Sequence, residues 1–547
     1  MKTNHSSVQG SLHSRLIDAT VLLGFIFITC YMLRNLGWHA LPAEDAIMLI
    51  RYSQHLAQGH GIVWNVGERP VDGATDFLFM VTIALISRLS HHGPILIARL
   101  LIAVSHLASV GLLYLCSRRL FGWPVWAAAC LTLYLALDLA PAYVKMGFGA
   151  PFFAFMAMVA WALALLCIVN GATTARGIGL GFALLAMGLV RPEGVLLVGM
   201  ILAAMLYERR REALAAVVPA VAVFASLGLV YFAWRWHYFG YPLPNPFYLK
   251  GGGHFFLDSL EISIENVLRM LAPALPFFVL SAFSTARRRA WTALIPTVGF
   301  TLIWVLLSNE NNHAMRFQYG VVPLTLLSIP YITGGLEARF TWLRPGWISQ
   351  TALVLLTIGL AKVYWKPMTT VTDGTGLYNI AVALQPYHDR DYVLAVTEAG
   401  LLPYFSEWRS VDLYGLNDPT IVHSKQGLTQ EYLSERAPAI FLVLVNPDLL
   451  SWDCKLCRSV RASLEYVQTH NYTLAAVWGY NLCRRHYWYV RNGLPETKTF
   501  IDIVSRGPVF ISDPDAAGEF QMIDLRGVPM PTESGCHYDF ARLPLSQ

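Results

Sequence analysis

The sequence predicts an α-helical polytopic membrane protein with a C-terminal extracytoplasmic α/β domain. Three observations carry that class. Of 547 residues, 55% are hydrophobic and only 14% are charged, where soluble domains hold roughly a quarter charged residues. Long apolar runs recur along the first two-thirds of the chain. The charge is also divided. Residues 1–365 hold 25 Lys/Arg and 15 Asp/Glu, whereas residues 366–547 hold 15 and 20. The first part is therefore a basic apolar body of net +10 and the second an acidic tail of net −5, which together give the chain's +5. This balance excludes a disordered chain, a coiled coil and a nucleic-acid-binding protein with a basic groove.

The polar start, with Lys2 and Arg15, leads into an apolar run from Leu16 to Leu33 without a small-residue cleavage site. It reads as a retained first helix rather than a signal peptide. Further runs lie at 94–117, 122–140, 150–170, 176–190, 193–207, 213–236, 268–285, 290–307, 319–335 and 348–364. The run 77–89 is short enough to lie in the membrane interface. Basic clusters belong on the cytoplasmic side. Lys2/Arg15, Arg118-Arg119, Arg176, Arg209-Arg210-Arg211, Arg287-Arg288-Arg289 and Arg339/Arg344 all fall on one side only if 77–89 does not span. The prediction is about eleven transmembrane helices, an N-terminus inside and a C-terminal domain outside. The polar, aromatic and acidic loops then collect outside, and the inner loops are short and carry no Gly-rich phosphate loop.

In the first outer loop, Pro42 followed by Glu44-Asp45 makes a helix start. Ala46, Leu49, Ile50, Ser53, Leu56 and Ala57 share one stripe, Arg51, Gln54 and His55 lie opposite, and Gly59 stops the helix. This reads as an amphipathic helix on the membrane surface. Its dipole favours the Glu44 and Asp45 anions at its start. That makes them candidate bases, against the plainer reading of an acidic capping pair.

Four cysteines, Cys454, Cys457, Cys483 and Cys536, lie in the tail. Cys454 and Cys457 have zinc-ligand or redox spacing, but in an oxidising compartment the set reads as two structural disulfides with three connectivities open. The other four cysteines sit in apolar helices as small core residues. The strand-like runs 392–396, 439–444 and 473–478 alternate with polar helical stretches and predict a small α/β domain.

The motifs in order resemble a known family. They are the acidic pair with Arg51-Tyr52, the stretch Gly59 to Glu68, Val71-Asp72-Gly73 with Thr75-Asp76, the turn Arg191-Pro192-Glu193-Gly194, and the loop Gly240 to Lys250 with Pro244-Asn245-Pro246 and Tyr248. Met315-Arg316-Phe317 with Pro323, Glu398-Ala399-Gly400 and Asp412 to Asp418 follow. Across residues 17–425 the sequence resembles GT-C glycosyltransferases that use polyprenyl-phosphate sugars, in particular the mycobacterial terminal arabinofuranosyltransferases and their Gram-negative homologues. Two departures stand out. The family carries two Asp where this chain has Glu44-Asp45. The family's acidic residue after the third helix is absent from Gly147-Phe148-Gly149-Ala150, with Asp138 nearby as a partial substitute.

The resemblance implies a GT-C body over 1–365 with two interfacial helices in the first outer loop, and a periplasmic domain over 366–547. It implies an inverting transfer of a sugar, arabinofuranose in the nearest relatives, from a polyprenyl-phosphate donor to a glycan, lipid or protein acceptor at the bacterial inner membrane. No nucleic acid is expected as a partner. Such a donor has a good leaving group, so the site needs a carboxylate base, cations for the departing phosphate and an apolar path for the prenyl chain. Asp45 is the first choice of base and Glu44 the second. Lys250 and Arg316 form the expected phosphate clamp, with Arg191 behind them. Arg51, Tyr52, His55, Asn245, Tyr248, His313 and Asp138 are the expected donor or acceptor contacts. No cofactor is required, and a divalent cation (Mg, Mn or Ca) bridging the carboxylates to phosphate is the option left open. The competing readings are a lipid-linked sugar transporter or flippase, which would show internal repeats and mid-membrane charges, and an oligosaccharide ligase or polymerase, with its chemistry in a late loop.

Overall fold

The computed structural model describes residues 4–34, 40–251, 255–272, 274, 278–279, 287–309, 312–337, 377–451, 454–479, 482–507 and 522–530. The predicted span 348–364, most of the run 268–285, the boundary at 365/366 and Cys536 lie outside the described residues. The body runs α1 (Asn4–Arg34), α2 (Glu44–Ala57), α3 (Phe77–Ser90), α4 (Pro94–Leu115), α5 (Val125–Ala136), α6 (Ala140–Met146), α7 (Ala150–Asn170), α8 (Thr174–Val190), α9 (Pro192–Arg209), α10 (Leu214–Phe239), α11 (Leu257–Leu271), α12 (Arg287–Leu302) and α13 (Val321–Glu337). Proline in the first turn starts α4, α6, α7 and α9, where its missing N–H costs nothing.

Among the described residues, five helical stretches are long and apolar enough to cross a membrane: His13–Arg34, Pro94–Leu120, Val125–Met146, Ala150–Asn170 and Pro192–Phe239. The last is two helices, α9 and α10, joined by a short turn over Arg210–Ala213. Helices α3 and α8 are apolar but shorter. The chain is a multi-pass membrane protein. Small residues let its helices approach closely, as membrane packing requires. A Cβ on Gly177 of α8 would stand 2.4 Å from the Ala216 carbonyl oxygen of α10.

The tail begins, among the described residues, with α14 (Leu377–Leu384) and folds around a six-stranded mixed sheet. Its strands are β1 (Val393–Val396), β2 (Arg409–Asp412), β3 (Ile440–Val445), β4 (Tyr472–Gly479), β5 (Arg485–Arg491) and β6 (Ile523–Asp524), in the order β2-β1-β3-β5-β4-β6. Strands β2, β1 and β3 are parallel, with Leu394 opposite both Ser410 and Ile440. Strands β5, β4 and β6 continue antiparallel, with Leu442 opposite Trp488 and Trp478 opposite Asp524. Every residue of β3 is buried, which explains its unbroken apolar run. The predicted strands are β1, β3 and β4. Strands β2, β5 and β6 escape the sequence reading because polar residues interrupt them.

One expectation is corrected. The polar face of helix α2 is not wet. Ile50 is buried near Gly147 of the body, Ile47 beside Gly400 of the tail, and Arg51, Tyr52 and His55 are buried as well. Arg51 donates from Nε to the Trp64 carbonyl at 3.0 Å, from Nη2 to the Trp408 carbonyl at 3.0 Å, and from Nη1 to the Pro403 carbonyl. Asn65 pairs with the backbone of Ser410 on β2 through two bonds of 2.9 Å. Glu68 binds Arg409 at 2.8 Å and Arg436 at 2.5 Å. Tyr52 donates to Asn417 Oδ1 at 3.0 Å, and a Cβ on Gly73 would stand 2.5 Å from both of those side chains. The first loop and the tail thus form one polar seam.

Replacing Arg51 by Leu leaves three buried carbonyls without donors. We expect a loss of about 3 kcal/mol, seen as a lower unfolding midpoint in detergent and faster proteolytic release of the tail.

Candidate active site

The site lies where the start of α2 meets the tail. Ala43 N–H donates to the Met146 carbonyl at 2.9 Å, which ties the first turn of α2 to the end of α6. Glu44 and Asp45 follow, and their carboxylates part company. Glu44 turns to the tail. Its Oε1 accepts from Gly400 N–H at 2.6 Å, and both its oxygens accept from Leu401 N–H at 3.1 Å, at the start of α15 (Leu401–Ser406). A Cβ on Gly400 would meet the Glu44 carbonyl oxygen at 2.2 Å, so glycine is required by this approach. Burial and the neighbouring Glu398 carboxylate push Glu44 up to about 8, against the two amides that favour its anion.

Asp45 turns to the body. Arg316 Nη2 donates to Asp45 Oδ2 at 2.6 Å. The Asp45 side chain is 31% exposed and that of Arg316 11%, so the carboxylate can be reached while the cation is held. Burial opposes ionisation of Asp45. The charge and hydrogen bond of Arg316 outweigh it, with Lys250 and His313 acting further out, and hold the carboxyl below its usual value. The Arg316 guanidinium stacks over Phe148 at 4.0 Å and lies 5.0 Å from the Phe317 ring. Each cation–π contact of this kind contributes roughly 0.5–2 kcal/mol. Phe148 also faces the His313 ring in parallel at 6.4 Å. Phe148 thus lies against both Arg316 and His313.

The backbone before Arg316 is strained. Ala314 and Met315 both have positive φ, 53° and 56°, at about 1–3 kcal/mol each. Tyr143 holds the Ala314 carbonyl with its hydroxyl at 2.6 Å. Asp138 stands behind this prop rather than in the pocket. It accepts from Tyr319 at 2.6 Å and from Ala140 N–H at 2.8 Å, and Tyr319 packs on Tyr143 at 4.8 Å. On the far side, Asn312 accepts from Phe317 N–H at 3.1 Å and donates to Gln318 at 2.7 Å, while Gln318 reaches Ser263 on α11 at 3.3 Å.

Arg191 is also spoken for. It pairs with Glu193 at 2.9 Å and Asp76 at 3.5 Å, between the rings of Phe153 and Phe317. Asn245 donates to the Leu416 carbonyl at 3.1 Å and contacts His423 at 3.2 Å. His55 Nδ1 lies 2.9 Å from the Val63 carbonyl. The structure therefore gathers Asp45, Arg316, His313 and Lys250. It places Arg51, Tyr52, His55 and Asn245 in the seam, and Asp138 and Arg191 in the support. Tyr248 packs edge-on against His423 at 4.7 Å, two residues before Lys250. Phe247, Phe255 and Leu257 flank Lys250 in sequence and expose apolar surface.

The tail adds a group that the sequence motifs include without assigning it a role. Glu398 follows the carboxyl end of β1 by two residues, where ligands of parallel sheets bind. Burial opposes its ionisation, but His486, at 3.6 Å, and Arg484, at 3.7 Å, hold it below the usual carboxylate range. Its position just after a predicted strand was the available signal. Among the described residues no group of three or more His, Cys, Asp or Glu forms a metal cluster. In the tail, Cys454 pairs with Cys457 and Cys483 is also disulfide-bonded.

The raised Glu44 gives a pH test. Its folded value lies above its ordinary one near 4.5, so its contribution to stability is fully present below about 4.5 and is lost as pH rises through about 8. The unfolding midpoint should fall between about pH 5 and about pH 9, and Glu44→Gln should flatten that fall.

Residues 363–491 match a domain of unknown function, DUF8728. No curated protein sequence matches the chain. Among solved structures, ArnT from Cupriavidus metallidurans bound to undecaprenyl phosphate aligns with a TM-score of 0.57 at 13% identity, over 85% of this chain and 97% of its own. Its apo form aligns with a TM-score of 0.54 at 14% identity, over 88% and 98%. The oligosaccharyltransferase of Archaeoglobus fulgidus aligns with a TM-score of 0.49 at 10% identity, over 86% and 74%. Over most of its length this chain has the GT-C fold seen in ArnT.

Proposed function

We propose that the protein is an inverting glycosyltransferase that moves a sugar from a polyprenyl-phosphate donor to an acceptor hydroxyl on the periplasmic side of the bacterial inner membrane. The observation that carries this reading is the Asp45–Arg316 pair at 2.6 Å, partly open, with Lys250 acting on it from further out. The fold supports it, since the ArnT structure with that fold holds undecaprenyl phosphate. Arabinofuranose is the sugar favoured by the motif resemblance, and a periplasmic glycan, lipid or protein is the acceptor class.

Arg316 and Lys250 take the donor phosphate. When the phosphate recruits Arg316, Asp45 loses its strongest partner and becomes the better base. Asp45 then accepts the proton of the acceptor hydroxyl as that oxygen attacks the anomeric carbon. The bond from that carbon to the phosphate oxygen breaks, and polyprenyl phosphate leaves with the bonding pair. A good leaving group makes a weak base sufficient. The exposed Phe247, Phe255 and Leu257 near Lys250 offer apolar contact to the prenyl chain. Glu398, ionised beside its cations, is placed to orient the acceptor from the tail.

Purified protein in detergent, offered several polyprenyl-phosphate sugars, should consume one of them with inversion. Asp45→Asn should lower kcat about 10²–10⁴-fold, while Glu44→Gln stays within about tenfold. Full turnover by Asp45→Asn would remove the base assignment, and consumption of no donor would remove the enzyme reading.

Arg316→Lys keeps the charge but loses the planar fork and the stacking on Phe148. It should raise KM for the donor by roughly 10–100-fold, measured with the same donor.

A further inference from the structure

Far from Asp45, the turn after α9 and Arg287-Arg288 of α12 line an open cleft of about 580 Å³, with Leu206, Tyr207 and Arg210 on its other side. Helix α9 has 18 residues, so this cleft lies about 27 Å along the helix from Arg191. We propose that it binds the phosphate of an anionic membrane phospholipid.

Three features converge on that ligand. The first is charge. Three guanidiniums line one cleft, while Glu208 is shared by Arg288 at 3.7 Å and Thr292 at 2.7 Å, and Glu212 pairs with Arg209 at 3.5 Å. Arg288 also donates to the Tyr207 carbonyl at 2.9 Å, which holds it at the wall. The second is backbone cost. Arg210 itself has φ 50° and ψ −128°, a conformation that a side chain rarely adopts. The third is the apolar rim. Tyr207 is 44% and Leu206 38% exposed. A soluble phosphate has no use for that surface, but the glycerol and upper acyl chain of a lipid would cover it. Basic pockets between helices at a membrane face bind lipid head groups for this reason. Simple sidedness would call for arginines near the membrane without calling for a cleft.

The test uses the full-length protein in neutral detergent, with thermal unfolding followed as phosphatidylglycerol, phosphatidylcholine or inorganic phosphate is added. Phosphatidylglycerol should raise the midpoint by about 2–5 °C, and the other two should not. Arg287→Gln together with Arg210→Gly should abolish most of that shift. Arg210→Gly also relieves the strained backbone, so loss of the shift in this variant cannot be put down to misfolding if its own midpoint without lipid is kept. No shift with phosphatidylglycerol, an equal shift in the variant, or an equal shift with inorganic phosphate or phosphatidylcholine would overturn the proposal.

Discussion

Two consecutive carboxylates on one helix cannot face the same way, and the site depends on that constraint. Successive residues of an α-helix are turned by about 100°. Once Glu44 is fastened to the amides of Gly400 and Leu401, Asp45 is turned off the tail and onto Arg316. The anchor is short and leaves no room for a side chain at Gly400. Glu44 therefore acts as the peg that aims its neighbour. A shift of α2 by a fraction of a turn would exchange the roles of the two residues.

The same anchoring explains why the tail belongs to the site. The parallel half of its sheet points the carboxyl ends of β1 and β2 at the body. The loop after β1 brings Glu398 and Gly400, and the loop after β2 brings Asn417 to Tyr52. The antiparallel strand β5 begins beside the end of β3, with Arg485 opposite Val445. That register puts Arg484 and His486 next to Glu398. A mixed sheet thus delivers an acid and its cations to one edge from strands far apart in sequence.

Much of this was legible in the sequence, and the failures share one cause. Apolar runs and prolines gave the helices, because burial in lipid demands long uninterrupted runs. The acidic pair was marked by its place at the start of α2, and Arg316 and Lys250 by the motifs that carry the family resemblance. The polar face of α2 was misread. Arg51 and His55 have the spacing of a wet face, yet they are buried on backbone carbonyls. Helical periodicity separates polar from apolar partners but cannot tell water from a carbonyl group. The same limit hid Asn245, whose partners are Leu416 and His423. It also hid the different partners of Glu44 and Asp45, since Glu44 is held by an amide 356 residues away.

Charge balance links these parts. Around Asp45 the cations exceed the acids left free to meet them. Arg316 is paired to Asp45, while Glu398 answers to Arg484 and His486, and Lys250 acts through space on top of that. A site in this state favours an added anion and opposes an added cation. The ring of Phe148 under Arg316 matters here. An acid at that place would hold Arg316 by charge and compete with the incoming anion. A π-face holds the guanidinium by its flat side and leaves its N–H edge free to exchange one oxygen for another. Phe148 therefore supports the cation without neutralising it.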